Sequence, residues 1–494
     1  MKTPSDDLYK FIQSLDGNEL TYLGREITND RATIHSEMFD ILVNHKSYNE
    51  SAVISKFKSL TKTPVKHIKQ NFWNYVLRKL ASYNSSYEYD RESYNLLLEV
   101  KILLKKKSFK KANSLLKKAF VRAKEIGNFL IEIELLKAEL QLVIETENIE
   151  LYNKLKAHHK KRFESLMYAN FQFQNYTLLL IELKNVWTKS GFNINEEGLH
   201  VVKKIQNKYI EIKSESNLSE RYKSLQVHEN IIEHIIFLFQ HNFKESYISY
   251  NKFIEEVRKH KHGYILTEEF FWYLNCGISL SILTHNGSLL NKLHKISTDY
   301  YDNLPLREKN NAVSGHFLSI KNNIVAFYTH VEDFEKAKKL GEEIWNEMHH
   351  EQVKQGAYKI FMANMCQVYL CLKEYKNSLH CYNKIMNNKP FLEVRKDINT
   401  GVYVLGLSLF IKLKMDSNFE SLTRFLRRSA IIDKKMKKFY TEILALIIKI
   451  PGSDKKQLKN ITNELLIIIQ NNKRKEVIFF IENTKIEYII KNIL

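Results

Sequence analysis

The side chains best suited to chemistry crowd one segment of the chain, whose sequence reads His228-Glu229-Asn230-Ile231-Ile232-Glu233-His234. A zinc protease motif places two histidines four residues apart, so that both share one face of a helix and hold the metal. Here the histidines stand six residues apart and cannot share a helix face in that way. The segment therefore predicts a surface or groove face of a helix rather than a zinc site.

Motifs for other chemistries are missing. The four cysteines, Cys276, Cys366, Cys371 and Cys381, form no C-x-x-C pair of the kind that a zinc ribbon needs, and they fit a reducing compartment. The scattered glycines form neither a phosphate-binding loop nor a G-x-S-x-G nucleophile elbow. The remaining histidine clusters, expected in loops or on solvated faces, are His158-His159, His260-Lys261-His262 and His349-His350. We expect no catalytic residue, no metal and no cofactor, and hence no enzyme.

Basic residues form local clusters in a chain of net charge +20. The clusters are Lys105 to Lys107 with Lys110, Lys111, Lys117 and Lys118; His159 to Arg162; and Arg424, Arg427 and Arg428 with Lys434, Lys435, Lys437 and Lys438. Several of them on one face could neutralise nucleic-acid phosphates. They could equally form a solvated outer face, since lysine side chains also cover apolar surface. Both interpretations remain open at this point.

Glycine and proline are scarce, and this scarcity predicts the fold class. The chain has 14 Gly and 5 Pro in 494 residues, whereas average usage would give about 35 and about 25. A sandwich, a barrel or a doubly wound sheet needs many turns at positive φ or fixed φ, but long helices with short connections do not. We therefore expect an all-α fold. Neither an apolar leader nor an apolar run of membrane-spanning length is evident, which predicts a cytoplasmic protein with no membrane partner.

The two ends of the chain each predict a helical cap. Over 1–88 we expect helices near 6–12, 33–45, 50–60 and 64–83, and we favour a structural role over a helix-turn-helix DNA-binding domain because no short glycine-containing turn precedes a recognition helix. Over 451–494, the run Pro451-Gly452-Ser453-Asp454 is a break with an N-cap, and helices near 455–471 and 474–493 follow. The last of these would close the end of a repeat array.

Between the caps a pattern recurs, in which an aromatic residue is followed by a small residue three positions later and by further core positions at helical spacing. Its copies begin at Phe109, Phe243, Phe334, Tyr375 and Phe419, with weaker copies at Phe192, Tyr152 and Leu290. The strong copies are separated by 134, 91, 41 and 44 residues, which fits a unit of roughly 41–46 residues. The pattern predicts helix hairpins in which the aromatic residue opens the second helix and the small residue allows close helix approach.

This pattern resembles the tetratricopeptide repeat. Its signature positions are matched by Tyr369, Tyr375, Ser378, Tyr382, Ile385 and the closing Pro390, and its small-residue positions by Ala112, Ala119 and Ala337. The resemblance implies a right-handed α-solenoid of antiparallel helix hairpins over 89–450, with a concave groove that binds peptides or protein surfaces.

Amide side chains on the first helices of two hairpins would line such a groove, because an amide can bind an extended backbone through paired donor and acceptor. These candidate partner-binding residues are Asn322, Asn323, Asn364 and Gln367. The sequence therefore favours a non-catalytic scaffold or adaptor that binds a peptide or protein. The alternatives are a nucleic-acid-associated protein using a basic face and a peptide-sensing regulator whose N-terminal cap is the effector.

Overall fold

The computed structural model of this chain is helical throughout the part that it describes, with no strand, and its helices pack in adjacent pairs. The described residues are 6–15, 17–30, 33–44, 48–85, 91–146, 149–190, 196–214, 218–259, 265–304, 309, 311–347, 355–387, 396–428, 437–472 and 485–492. The predicted all-α class is thereby confirmed. Within these ranges, no helix combines the length and apolar character needed to cross a membrane.

The chain divides into two compact units, of which the first comprises Met1–Lys124 and Glu134–Lys154. It begins with five helices: α1 (Asp7–Gln13), α2 (Gly17–Asn29), α3 (Thr33–Asn44), α4 (Glu50–Leu60) and α5 (Val65–Ser85). They enclose a core of their own, in which Phe57 and Phe72 are fully buried. On the rim of this core Lys79 of α5 bridges Glu26 and Asp30 of α2, at 2.9 and 2.8 Å.

A helix hairpin follows in the first unit, formed by α6 (Arg91–Lys105) and α7 (Phe109–Ile126), whose last two residues belong to the second unit. The small residues Ala112 and Ala119 of α7 are completely buried, as expected of positions where two helices approach closely. The next helices, α8 (Phe129–Glu145) and α9 (Ile149–Ser190), contribute residues to both units.

The second unit comprises Glu125–Ile133 and Leu155–Leu494. After α9 its helices are α10 (Glu196–Ser214), α11 (Leu218–Arg221), α12 (Lys223–Phe239), α13 (Phe243–Lys259), α14 (Thr267–Leu283), α15 (Gly287–Asn303), α16 (Asn311–His330), α17 (Phe334–Glu347), α18 (Gln355–Cys371), α19 (Tyr375–Met386), α20 (Lys396–Lys412), α21 (Asp416–Arg428), α22 (Lys437–Ile447), α23 (Lys455–Gln470) and α24 (Ile486–Asn492).

The same turn joins the two helices of six hairpins. In α18–α19, for example, Lys373 adopts φ 63°, its backbone N–H donates to Leu370, and the N–H of Glu374 donates to Tyr369. These two bonds define a Schellman turn, which satisfies the last carbonyls of the first helix. The left-handed residues of the six turns are Lys107, His241, His285, Glu332, Lys373 and Lys414. In the second unit the turn recurs every 41 to 47 residues, so the hairpins form a repeat.

The expectation that positive-φ turns are rare was wrong, although the fold class that it supported is confirmed. All six turns need a left-handed residue, a conformation that glycine adopts without steric cost. Lysine, histidine or glutamate occupies every one of these positions instead. Low glycine content therefore tells nothing about how many such turns this chain contains.

Four of the predicted second helices begin at the predicted aromatic residue, namely Phe109, Phe243, Phe334 and Tyr375. The fifth assignment was wrong by three residues, because α21 begins at Asp416 and Phe419 lies at the position of the small residue. Gly287, rather than an aromatic residue, opens α15, although Leu290 and Leu293 are buried there as core positions.

Two weaker copies of the pattern behave differently. Tyr152 lies inside the 42-residue helix α9 and does not open a helix. Phe192 falls outside the described residues. Among the described residues, the turn next recurs after Lys107 in the hairpin α12–α13, which follows the long helix α9.

The helices predicted for the two ends are largely confirmed. The predicted N-cap Asp454 accepts a hydrogen bond from the backbone N–H of Gln457, whose side chain bonds back to Asp454, so α23 begins with a capping box. At the other end α1 follows Asp6 and matches the helix expected near 6–12. Most of the final helix predicted near 474–493 also lies outside them, and the part described is α24. The boundaries expected at 88 and 450 stay predictions.

Candidate functional site: an amide row on the first helices

Side-chain amides connect the first helices of three consecutive hairpins in the second unit. Asn364 of α18 donates from Nδ2 to Oδ1 of Asn322 in α16, at 2.9 Å. Asn323, the next residue of α16, donates in the same way to Oδ1 of Asn275 in α14, at 3.0 Å. Gln367 lies one helical turn beyond Asn364 on α18. We call these five residues the amide row.

The two amide pairs occupy equivalent places in the repeat. The acceptors Asn275 and Asn322 each stand ten residues before the left-handed residue of their own hairpin. The donors Asn323 and Asn364 each stand nine residues before theirs. One pairing is therefore used twice, shifted by one hairpin.

The four predicted partner-binding residues thus lie together, but none of their side chains is fully exposed, as those lining an open groove would be. Asn322 is 5% exposed and Gln367 is 7% exposed, while Asn323 and Asn364 are half-buried. In α18 every residue from Phe361 to Cys371 is buried except Asn364. Asn275 was not among the predicted residues, although its ten-residue offset from the turn marks it as the equivalent of Asn322.

The amide row keeps hydrogen-bonding capacity after its members have paired. A primary amide carries two donor hydrogens and an oxygen with two lone pairs, and each pair uses one donor and one acceptor. Nε2 of Gln367 is buried and has no hydrogen-bond partner among the described residues. Nδ2 of Asn230, on the first helix α12, is in the same situation. Because a buried polar group without a partner is unfavourable, these amides are suited to receiving a carbonyl oxygen.

An acidic cluster lies on α12, beside Asn230. The Glu233 carboxylate accepts hydrogen bonds from Tyr209 (2.7 Å), Lys213 (2.7 Å) and Ser249 (3.2 Å). One turn earlier, Glu229 accepts a hydrogen bond from Tyr176 at 2.8 Å, and Lys213 Nζ lies 3.8 Å from it.

The pKa values of the two carboxyl groups in this cluster are shifted in opposite directions. Burial raises the pKa of Glu229 above its ordinary value. Burial acts on Glu233 in the same direction, but the hydrogen bonds from Lys213 and Tyr209 outweigh it and hold its pKa below the ordinary value. The Lys213 ammonium group thus lies near both carboxylates, and its shorter contact, with Glu233, favours the ionised form of that residue.

The histidines of the same helix contradict the predicted surface or groove face. His228 and His234 are both buried, and Nδ1 of each lies at hydrogen-bonding distance from a backbone carbonyl, of Ser224 at 2.8 Å and of Ser246 at 3.1 Å. The apolar surroundings lower the pKa of both imidazoles to about 4. Both side chains belong to the core because neighbouring helices cover α12, a fact of tertiary packing that the local sequence does not contain.

The other predicted histidine positions divide. His158 is exposed as expected, whereas His159 is buried, so the expectation of a solvated face was wrong for it. His260, His262, His349 and His350 fall outside the described residues.

The cysteines are all buried and unpaired with one another. Burial raises the pKa of the Cys366 thiol to about 12 and also raises that of Cys276 above its usual range. A thiol of this kind is a poor nucleophile, because the thiolate is the reactive form. Across the described part of the chain, no group of three or more His, Cys, Asp or Glu side chains is arranged to hold a metal ion.

Four lysines of the first basic cluster, together with Lys124, form an exposed face on α7 in the first unit. Lys110, Lys117 and Lys124 stand seven residues apart on α7, with Lys111 and Lys118 beside them, and all five are exposed. Within the described residues, none of the five forms a salt bridge with a carboxylate. We call these five residues the lysine face.

The other basic clusters are only partly visible. Lys160 and Lys161 of α9 and Arg424 and Arg427 of α21 are exposed. The positions of Arg428, Lys434, Lys435, Lys437 and Lys438 lie outside the described side chains.

Comparisons with models of known protein families, with curated proteins and with solved structures gave no match for this chain.

Proposed function

We propose that this chain is a non-catalytic protein-interaction scaffold or adaptor, which binds an extended peptide or protein segment along the amide row. In this proposal the hairpins of the second unit form a right-handed α-solenoid resembling tetratricopeptide repeats, and their first helices face the bound segment. The observation that carries the proposal is the asparagine pair repeated one hairpin apart, together with the buried Nε2 of Gln367, for which the described residues offer no hydrogen-bond partner.

The chemistry of the row favours a backbone ligand. An extended segment presents carbonyl and N–H groups at regular intervals, and primary amides can bind both kinds of group at once. Helical repeats place equivalent residues at regular intervals along an array, so a repeated amide suits a repeated backbone. The amide pairs would open on binding and exchange one hydrogen-bond partner for another, with little net loss of hydrogen bonding.

The test uses short random peptides, selected by display against the full chain and then measured by calorimetry. The variant Asn322→Ala/Asn323→Ala/Asn364→Ala/Gln367→Ala should lose at least tenfold in affinity for the selected peptides. The matched control is Asn207→Ala/Asn418→Ala, which removes two exposed amides of the same unit and should bind as the wild type does. Unchanged affinity in the fourfold variant, with an unchanged circular dichroism spectrum, contradicts the assignment.

The lysine face supports a second candidate, a nucleic-acid-associated function. Five exposed lysines, which have no carboxylate partner in the described part of the chain, could neutralise several phosphates and release their counterions. Binding of a DNA or RNA duplex should then weaken steeply as salt rises. The variant Lys110→Glu/Lys117→Glu should reduce the salt slope by about 2, one for each phosphate that is no longer neutralised. Lys252→Glu, at an exposed position of α13, is the control. Nucleic-acid affinity that changes neither with salt concentration nor with the charge reversal at Lys110 and Lys117 would exclude this candidate.

A further inference from the structure

The long helix α9 carries an exposed apolar line on the side away from the core. The residues of α9 that face the core include Leu166, Ala169, Tyr176, Leu179 and Leu183, all buried. From position 164 to 188 the exposed residues alternate at spacings of three and four, and they are Glu164, Met167, Phe171, Gln174, Leu178, Ile181, Asn185 and Thr188. Everything between them on the helix is buried or half-buried.

This spacing is the one that helices use when they pair along their length. A 3–4 alternation averages 3.5 residues, which keeps a line of side chains facing a partner helix in a coiled coil. Four of the five central residues are apolar and about half exposed: Met167 47%, Phe171 56%, Leu178 58% and Ile181 51%. We call Met167, Phe171, Gln174, Leu178 and Ile181 the seam. At a rise of about 1.5 Å per residue it is roughly 21 Å long.

We propose that the seam is a self-association surface, on which α9 of a second copy of this chain packs in antiparallel orientation about a two-fold axis near Gln174.

The arrangement of the seam about Gln174 argues for a second copy as its occupant. The apolar residues lie seven and three positions before Gln174 and four and seven positions after it. An antiparallel copy therefore places apolar side chains opposite apolar ones. A two-fold interface has to be complementary to itself, and an amide at its centre satisfies that condition because it is both donor and acceptor.

Charges beside the seam agree with the antiparallel orientation. Lys161 is exposed near one end, and Glu182 lies near the other, where Lys208 is 3.3 Å from it. Reversing a second helix about Gln174 brings Lys161 of one copy to the same end of the helix pair as Glu182 of the other, and the two-fold axis repeats this arrangement at the other end. A parallel copy would place Lys161 opposite Lys161 instead.

The exposed apolar area of the seam indicates how tightly the two copies should associate. Four half-exposed apolar side chains offer on the order of 100 Å² each, so the patch measures roughly 400 Å² per copy. A patch of that size on a monomer is often functional, but it is about half of the ~800 Å² per partner in a standard interface. The dimer should therefore form in the micromolar range.

Sedimentation of the full chain at graded concentrations tests the proposal. The wild type should shift from the monomer mass of 58.6 kDa towards twice that value as concentration rises through the micromolar range. Phe171→Glu/Leu178→Glu should remain monomeric at every concentration, with an unchanged circular dichroism spectrum. Ile467→Glu, at a 55% exposed apolar residue of α23, is the matched control and should dimerise like the wild type.

Two results would overturn the proposal. The first is a wild type that stays monomeric at the highest concentration, which would leave the seam to a different protein. The second is a double variant that dimerises as tightly as the wild type.

Disulfide trapping tests the orientation of the two copies, and the native cysteines do not interfere because they are all buried. Met167→Cys should cross-link to Ile181→Cys in a mixture of the two variants, because both residues lie seven positions from Gln174 and the two-fold axis places them opposite each other. Self-linking of Met167→Cys alone would contradict the antiparallel arrangement.

Discussion

The ring of Tyr250 lies directly against the backbone of Gly277, where a Cβ would stand 2.0 Å from the ring atom Cζ. The same contact recurs between Tyr382 and Gly406, with 2.5 Å between such a Cβ and Cε2. Both tyrosines are the eighth residue of their second helices, α13 and α19. Both glycines stand eight residues before the left-handed residue of the following hairpin. A large residue and a glycine thus meet at one fixed place in the repeat.

The third contact of this kind reverses the two roles. Gly341 is the eighth residue of α17, and Met365 stands eight residues before Lys373 in the next hairpin. A Cβ at Gly341 would lie 2.2 Å from the Met365 sulfur. Large and small residues have exchanged sides while the space that they fill together is kept, which is how volume-conserving changes preserve a packed core.

We predict that Gly277→Ala lowers the free energy of unfolding by about 1–3 kcal/mol, because the fully buried Tyr250 ring cannot yield to an added methyl group. Gly315→Ala is the control, since a Cβ at that position of α16 meets no atom within 4 Å. That substitution should stabilise the chain by up to about 1 kcal/mol through helix propensity. Urea denaturation of both variants checks the prediction, and equal effects would contradict it.

Gly341→Ala should be milder than Gly277→Ala, because the obstacle is the flexible end of a methionine and not a tyrosine ring. We expect a loss of less than about 1.5 kcal/mol in the same denaturation experiment. The double variant Gly341→Ala/Met365→Leu, which shortens the facing side chain, should recover part of this loss. A loss as large as that of Gly277→Ala would mean that Met365 is held rigidly.

The amide pair Asn322–Asn364 should be coupled in a double-mutant cycle. Each single alanine variant leaves a polar atom of its partner without a hydrogen bond, while the double variant removes both atoms. We predict a coupling free energy of about 0.5–1.5 kcal/mol, measured by urea denaturation. The pair Asn207 and Asn418, both exposed and on different helices, should show none. Coupling indistinguishable from zero for Asn322 and Asn364 would mean that the bond does not form in solution.

How much of this molecule could be predicted from its sequence depends on the range of the interaction. Phe243 and Tyr375 mark helix starts because an aromatic residue after a polar turn is a local signal. Phe419 gave a helix start three residues too late, because the left-handed residue of the preceding turn is Lys414 and the helix begins at Asp416. Only the hydrogen bonds of that turn show where the helix begins. The true unit after Lys373 is therefore 41 residues, not the 44 that the aromatic residues suggest.

The candidate site shows the same limit. Asn322 and Asn364 could be selected from the sequence because both lie on first helices, but their bond to each other depends on how neighbouring hairpins stack. The burial of His228 and His234 likewise depends on helices that pack against α12, among them α9, whose Phe173 contacts His228, and α13, whose Ser246 bonds to His234. The seam of α9 has a local signal, its 3–4 spacing, yet only the structure shows that this side faces away from the core.

Stability should fall in mild acid because of the two buried histidines. Burial lowers the folded-state pKa of His228 and His234 to about 4, whereas in the unfolded chain both titrate near 6.5. The unfolded state therefore binds more protons between about pH 6.5 and pH 4, and stability, complete above that window, is lost as the pH falls through it. Each histidine contributes a slope of up to about 1.4 kcal/mol per pH unit.

Thermal unfolding across this window measures the effect. His228→Gln, which cannot take up a proton, should flatten the fall in melting temperature relative to the wild type. His380→Gln replaces an exposed histidine of α19 and should leave the curve unchanged. If His228→Gln and the wild type showed parallel curves, the acid sensitivity would have to come from other groups.

Lys213 should stabilise the acidic cluster of α12 more than its partial exposure suggests. Its Nζ lies 2.7 Å from Glu233 and 3.8 Å from Glu229, and without it two largely buried carboxylates would face each other one helical turn apart. Because Lys213 is 44% exposed, solvent screening reduces the effect, and we predict that Lys213→Met costs on the order of 1–2 kcal/mol near neutral pH. Lys208→Met, on the same helix and in an exposed pair with Glu182, should cost close to nothing.

The pH dependence of that loss separates lost charge pairing from lost packing. Burial raises the folded-state pKa of Glu229, and a carboxyl group with a raised pKa takes up a proton in the folded chain first as the pH falls. The repulsion left by Lys213→Met should therefore shrink as the pH falls below neutral, while a packing defect would persist. Adding Glu233→Gln to Lys213→Met should likewise restore part of the stability at neutral pH. A loss that neither acid nor Glu233→Gln reduces would show that the lysine acts through packing and not through charge pairing with the two carboxylates.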